Sequence, residues 1–201
     1  MQTHDFSYYA RESPYRLALV EPDGRHWSRA ELQQECNRFA GELKRPTPAS
    51  RGRLAGSLPN NAHTIALALA ERKSGDSVLT PFGISPEQEN VHYCGLSLAD
   101  PGARTWAIGS LHHGHAVILV DRWTPEGMLR DIARYRVTTS YMVPEQFMQL
   151  LNLPPGLRAA YATSSIRHII CPDVPCPPPL EQAMTEWWQL SQFYRPAASH
   201  T

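Results

Sequence analysis

The 201 residues carry 19 basic and 19 acidic side chains and a pI near 7.1, so no global field draws the chain to nucleic acid or to an anionic membrane. A hydrophobic content of 42% suits one compact domain or a large part of a bigger one, and no apolar run approaches the roughly 20 residues that span a bilayer. The N-terminus lacks a basic start followed by an apolar stretch; the expected compartment is the cytosol, where Cys36, Cys94, Cys171 and Cys176 stay thiols with no disulfide framework.

Leu17 to Val20, the turn Glu21-Pro-Asp-Gly24 and Arg25 to Trp27 read as strand, turn and strand, since proline presets one turn dihedral and glycine permits a positive φ. Ser28 and Glu31 have capping-box spacing, and Leu32, Cys36, Phe39 and Leu43 then line one helical face. Leu54 to Leu58 suggests a short strand, Pro59 to Asn61 a loop, and Ala62 to Lys73 an alanine-rich helix closed by Gly75. From about Gly75 to Gly114 the pattern matches neither helical nor strand period well, with Thr80-Pro81 and Pro101-Gly102 read as interruptions.

Order returns at Ala116 to Val120, a continuous apolar run suited to a buried strand, and Thr124-Pro125 then opens a helix with Met128, Leu129, Ile132 and Tyr135 inward. Val137 to Val143 is β-branched and aromatic, as strands prefer, and Pro144 opens a helix carrying Phe147, Leu150 and Leu151. Arg167 to Ile170 is a third strand, the prolines from Pro172 to Pro179 form a loop, and Leu180 to Trp188 is a helix. Three successive strand–helix steps predict an α/β fold, a mostly parallel sheet with helical crossovers.

The wording of several separated stretches resembles fatty acyl-CoA synthetases (fatty-acid–CoA ligases) of the adenylate-forming, AMP-binding superfamily. Ala18 to Leu32 with Asn37-Arg-Phe-Ala40 looks like their entry segment, and Arg51 to Ala55 with Leu58-Pro-Asn-Asn61 is similar to the next strand and loop. Ser110 to Asp121, Pro125, the helix to Thr138 and Met142-Val-Pro144 follow the order of their middle portion, continued by Ser164 to His168 and Pro175-Cys-Pro177. The resemblance implies a partial N-terminal domain of such an enzyme, internally deleted and C-terminally truncated. It divides into an N-terminal block at 1–75, an irregular junction at 76–115, three strand–helix units at 116–190 and a divergent tail at 191–201.

These ligases join a carboxylate to AMP with loss of pyrophosphate and pass the acyl group to coenzyme A, so ATP, Mg2+ and coenzyme A are the implied cofactors and a fatty acid or acyl chain the implied partner. By resemblance, Trp106, Met142, Val143 and Pro144 lie near the acyl cavity, and Val174 and Pro175 form a nucleotide wall. An apolar lining suits an alkyl chain.

The family's phosphate loop is rich in Thr, Ser and Gly and ends in Pro-Lys-Gly, because glycines admit phosphate to backbone amides and lysine supplies a point charge. Lys44 and Lys73 are the only lysines here, and the loop's place falls in an expected break between Gly75 and Leu79. Asp100 stands where the family has histidine in Pro-Leu-Tyr-His, Pro172 and Asp173 occupy the small adenine turn, and Phe193 to Thr201 offers no glutamate for magnesium. The resemblance therefore implies a ligase homologue without unaided ligase activity and assigns no catalytic residue. The rival readings are an acyl-chain-binding protein, a partner of an intact ligase subunit, or an unstable gene remnant.

His92, His112, His113 and His115 lack helical i, i+4 metal geometry, and Cys171 with Cys176 has no metal-site spacing, so no metal ligand is assigned. Cys94 with His92 lacks a third, orienting group for nucleophilic catalysis. Trp187, Trp188 and Phe193 are expected to be exposed in a shortened chain, favouring self-association.

Overall fold

The structure is a computed structural model that describes residues 5–43, 59–71, 89–171 and 176–194. The chain divides into two compact units, residues 1–89 with 97–121, and residues 90–96 with 122–201.

In the first unit, β1 (Leu17–Val20) pairs antiparallel with β2 (His26–Ser28) and parallel with β4 (Ala116–Leu119). The turn between β1 and β2 is closed at Gly24, which takes φ +87. Around these strands lie α1 (Phe6–Glu12), α2 (Arg29–Leu43), α3 (Ala62–Glu71) and α4 (Pro101–His112). The capping box forms as expected: the Ser28 amide donates to the Glu31 carboxylate at 2.7 Å, and the Glu31 amide donates back to the Ser28 hydroxyl. Leu32, Cys36 and Phe39 bury the inner face of α2. Glu21 ties the layers together, accepting from the Trp27 indole at 2.7 Å and from the Ala62 amide, an otherwise unpaired donor at the start of α3, at 2.8 Å.

In the second unit, β3 (Val91–Cys94), β5 (Thr139–Tyr141), β6 (His168–Ile170) and β7 (Gln192–Tyr194) are parallel, each paired with the next in that order. The helices are α5 (Pro125–Tyr135), α6 (Pro144–Leu151), α7 (Pro155–Ala159) and α8 (Pro178–Trp188). On α5, Met128, Leu129 and Ile132 are fully buried, each such side chain contributing about 1.5–3 kcal/mol by leaving water. Thr124 caps this helix by accepting from the Gly127 amide at 3.1 Å, and Arg136 ends it in the left-handed region at φ 53. The fold is the expected α/β arrangement of mostly parallel strands with helical crossovers.

Four expectations change. Residues 76–115, read as irregular, hold β3 and α4. The α4 run from Trp106 to Leu111 is buried without interruption, so it lacks the polar stripe that makes a helical period visible. Pro101, taken as an interruption, is its first-turn proline, with Asp100 as cap. The proline loop ends sooner than expected, because Pro178 and Pro179 lie in the first turn of α8, where missing amide hydrogens cost nothing. Trp188 is buried at 2% exposure, and the Phe193 ring is half-buried 5.6 Å from that of Phe147. The strand expected at Leu54 to Leu58, the end of the helix beyond Glu71, and the Cys171 to Val174 turn beyond Cys171 lie outside the described residues.

Candidate functional site

In a parallel sheet with helical crossovers, every strand runs out at the edge where the next helix begins, and ligands bind outside those carboxyl ends. In the second unit that edge comprises Gly95 after β3, Met142 to Pro144 after β5 and Cys171 after β6. Met142 and Pro144 are buried, and Val143 is half-buried.

Gln146 organises this edge. Its side-chain carbonyl accepts from the Val143 amide at 3.1 Å, replacing the partner that the start of α6 lacks, and its amide reaches the Gly95 carbonyl at 3.5 Å. One buried amide thus fastens the ends of β3 and β5. Gly95 lies directly beneath the Trp123 indole: a Cβ at this position would stand 2.7 Å from Trp123 Cδ1. Trp123 is held in turn by a hydrogen bond from its Nε1 to Met128 Sδ at 3.4 Å.

Three main-chain donors along this edge are committed within the protein. Met142 N–H donates to the Ile170 carbonyl at 2.9 Å, Cys171 N–H to the Tyr194 carbonyl at 2.9 Å, and Val143 N–H to Gln146. Pro144 has none to offer. A phosphate cradle requires convergent free amides. Among the described residues the end of β5 is instead apolar, with Val143 half-buried between buried Met142 and Pro144, which suits an alkyl or aryl group better than a nucleotide phosphate.

Behind the edge, polar groups are used to lock strands together. The Ser140 hydroxyl donates to the Tyr93 carbonyl at 3.0 Å, and His92 Nδ1 lies 2.9 Å from the Thr139 hydroxyl. Burial pushes the Tyr93 phenol well above its usual range and raises the Asp131 carboxyl, whereas burial lowers the His168 imidazole.

Met142, Val143 and Pro144, predicted for the acyl cavity, are therefore brought together at one strand end. Trp106, predicted for the same cavity, lies in α4 of the first unit and is buried at 7% exposure. Val174 and Pro175 lie outside the described residues. Asp100, matched to the family histidine by resemblance only, accepts from the Ala103 amide at 2.8 Å as the cap of α4. His112 closes α4 and His113 is its C-cap, with a ring nitrogen 2.8 Å from the Gly109 carbonyl. Among the described residues, no group of three or more His, Cys, Asp or Glu side chains is arranged to hold a metal ion. All four cysteines are buried and none is in a disulfide. Burial pushes the Cys36 thiol up to about 12, far from nucleophilic use at neutral pH. No described helix is long and apolar enough to cross a membrane. Gln146 and Trp123 were not predicted: their roles depend on Gly95, whose proximity no local pattern encodes, although Gln146 does stand at the capping spacing after Val143.

No curated protein matches the chain in sequence. Among solved structures, the inhibitor-bound N-terminal domain of FACL13 from Mycobacterium tuberculosis superposes with TM-score 0.72 at 14% identity, covering 97% of this chain and 76% of that one. An amide bond synthetase, McbA from Marinactinospora thermotolerans, gives TM-score 0.70 at 15% identity, covering 96% of this chain and 58% of its own. An o-succinylbenzoate CoA synthetase variant from Bacillus subtilis, bound to a product analogue, gives 0.65 at 16%, covering 92% and 57%. The chain thus spans less than two thirds of these two synthetases, and at such identities the likeness shows the fold alone. The family model described as AMP-binding enzyme matches residues 74–196, well over half of the chain and including the 75–79 stretch where a break was expected. With that match and the parallel α/β architecture in agreement, the chain belongs to the AMP-binding enzyme family.

Proposed function

We propose that this chain is a homologue of the fatty-acid–CoA ligases in which the carboxyl-end surface of the second unit receives an acyl chain, while the chain by itself does not turn over. The observation that carries the reading is the chemistry of that edge: half-buried Val143 sits between buried Met142 and Pro144, so the described strand end is apolar, and the amides of Met142, Val143 and Cys171 are already satisfied. Each methylene buried there gains about 0.8 kcal/mol. Trp106 in the first unit, and Val174 with Pro175 as nucleotide wall, are retained as contacts on the resemblance alone, as is the division of the chain at 75, 115 and 190.

The absence of unaided turnover is argued from residue chemistry. Because the family match opens at Ser74, Ser74-Gly75-Asp76-Ser77 and then Pro81-Phe82-Gly83 fall in the order of the phosphate loop, and we read Phe82 as standing in place of its lysine. No break between Gly75 and Leu79 is then required. An aromatic ring supplies neither the charge nor the donors that an ATP phosphate needs. Asp100 is spent on capping α4.

The test is fatty-acid-dependent exchange of pyrophosphate into ATP by the purified chain, with an intact ligase as control. Fatty acid binding without exchange is expected. Exchange above background would overturn the claim of no turnover, and failure to bind any fatty acid would remove the acyl reading.

A further inference from the structure

We propose that the hydroxyls of Thr138, Thr139 and Ser140 act as a polar key that fixes the register of β5 against β3. The inference stands whether or not the edge above receives an acyl chain.

The two strands need such a key. They run parallel and are separated in the chain by α4, β4 and α5, so no hairpin turn sets their alignment. Every residue from Thr138 to Met142 is buried, as are His92, Tyr93 and Cys94. Strands buried on both faces lack the apolar–polar alternation that otherwise resists slippage. Three hydroxyls in succession supply what is missing. Thr138 donates to Asn90 Oδ1 at 3.1 Å and accepts from the Val91 amide at 3.0 Å. The Thr139 hydroxyl lies 2.9 Å from His92 Nδ1, and the Ser140 hydroxyl donates to the Tyr93 carbonyl at 3.0 Å. Across the ladder Thr139 stands opposite His92, and Ser140 opposite Tyr93. The first two hydroxyls thus read the Asn90 and His92 side chains, and the third stitches the same alignment to the backbone. A slip of one residue would turn Thr139 and His92 to opposite faces of the sheet. A slip of two would set His92 against Val137 or Tyr141. Either way buried polar groups lose their partners in a low-dielectric interior, where an unpaired group is costly. The key therefore acts by penalising the wrong registers.

The experiment is amide NMR of the isotope-labelled full chain. In His92→Leu/Thr139→Val both partners become apolar with little change of shape, a replacement that leaves stability near the parent's. This variant should fold but lose the single set of resonances over Thr139–Tyr141, with a second set that lacks the parent's Overhauser contacts to Val91–Cys94. Thr139→Ser keeps the hydroxyl and deletes only a methyl group; it should melt earlier than the parent and still show one set with the parent's contacts. A single parent-like set in the double variant, or a second set in Thr139→Ser, would overturn the proposal. An unfolded double variant would overturn it as well, because the pair would then supply stability rather than register.

Discussion

The Arg29 guanidinium donates to the main-chain carbonyl of Gly114, 85 positions downstream, and to the Ser13 hydroxyl, joining the start of α2 to the turn after α4 and the end of α1. Its charge lies 5.6 Å from the Tyr9 ring centroid, and Tyr9 packs where a Cβ on Gly114 would stand, 2.6 Å from the ring. Gly114 also takes φ +74. Alanine at this position meets both a left-handed backbone and a ring, so Gly114→Ala should lower unfolding free energy by about 1–3 kcal/mol. Arg29→Met, which leaves the Gly114 carbonyl without its donor, should cost about 1–3 kcal/mol. Urea unfolding midpoints measure both, and a midpoint for Gly114→Ala equal to the parent's would contradict the packing described.

At the edge proposed to receive an acyl chain, Gln146→Leu keeps volume and apolar packing but leaves the Val143 amide at the start of α6 unpaired. A loss of about 1–3 kcal/mol in unfolding free energy is expected, together with weaker acyl binding as the ends of β3 and β5 separate. Gln146→Glu can still accept from Val143 but cannot donate to Gly95, so it should fall between the two.

Stability should depend on pH in two opposing ways. Burial, aided by the neighbouring Arg167 charge, holds His168 below the usual imidazole value. The unfolded chain therefore binds a proton that the folded chain refuses, and this contribution is present above about pH 6.5 and lost as pH falls through the lower folded value. His168→Gln should flatten that acid-side decline. Burial raises Asp131 instead, against the opposing Arg130 charge, so its contribution is full below the unfolded carboxyl value of about 3.9 and is lost as pH rises through the folded one. Asp131→Asn should therefore raise the melting temperature at neutral pH, with the gain shrinking in acid. Melting curves of both variants across pH separate the two effects, and parallel curves for parent and variants would refute them.

Restoring a lysine to the proposed phosphate loop provides a gain-of-function test. Phe82→Lys should tighten ATP binding by about tenfold, equivalent to about 1.4 kcal/mol, as one charge-assisted phosphate contact is regained. Equilibrium dialysis with labelled ATP measures it. Unchanged affinity would remove Phe82 from the place of that lysine.

The strand–turn–strand at Leu17 to Ser28, helix α2, strands β4, β5 and β6 and helices α5, α6 and α8 were legible in sequence, whereas the short α7 was not. In the legible elements apolar residues recur at helical spacing, or form short β-rich runs, between proline and capping signals that act over a few positions. Helix α4 and strand β3 were not, because both are buried on nearly every side and present no polar contrast for a period to show. Trp188 looked exposed only because its cover comes from distant segments. Residue type alone placed Met142, Val143 and Pro144 at a strand end. Only the tertiary structure decided that Gln146 bridges Gly95 and Val143, that Trp123 fills the space over Gly95, and that Arg29 reaches Gly114. Such contacts join positions far apart in the chain, and the side-chain patterns of a sequence encode which face a residue turns inward, not which distant backbone it meets there.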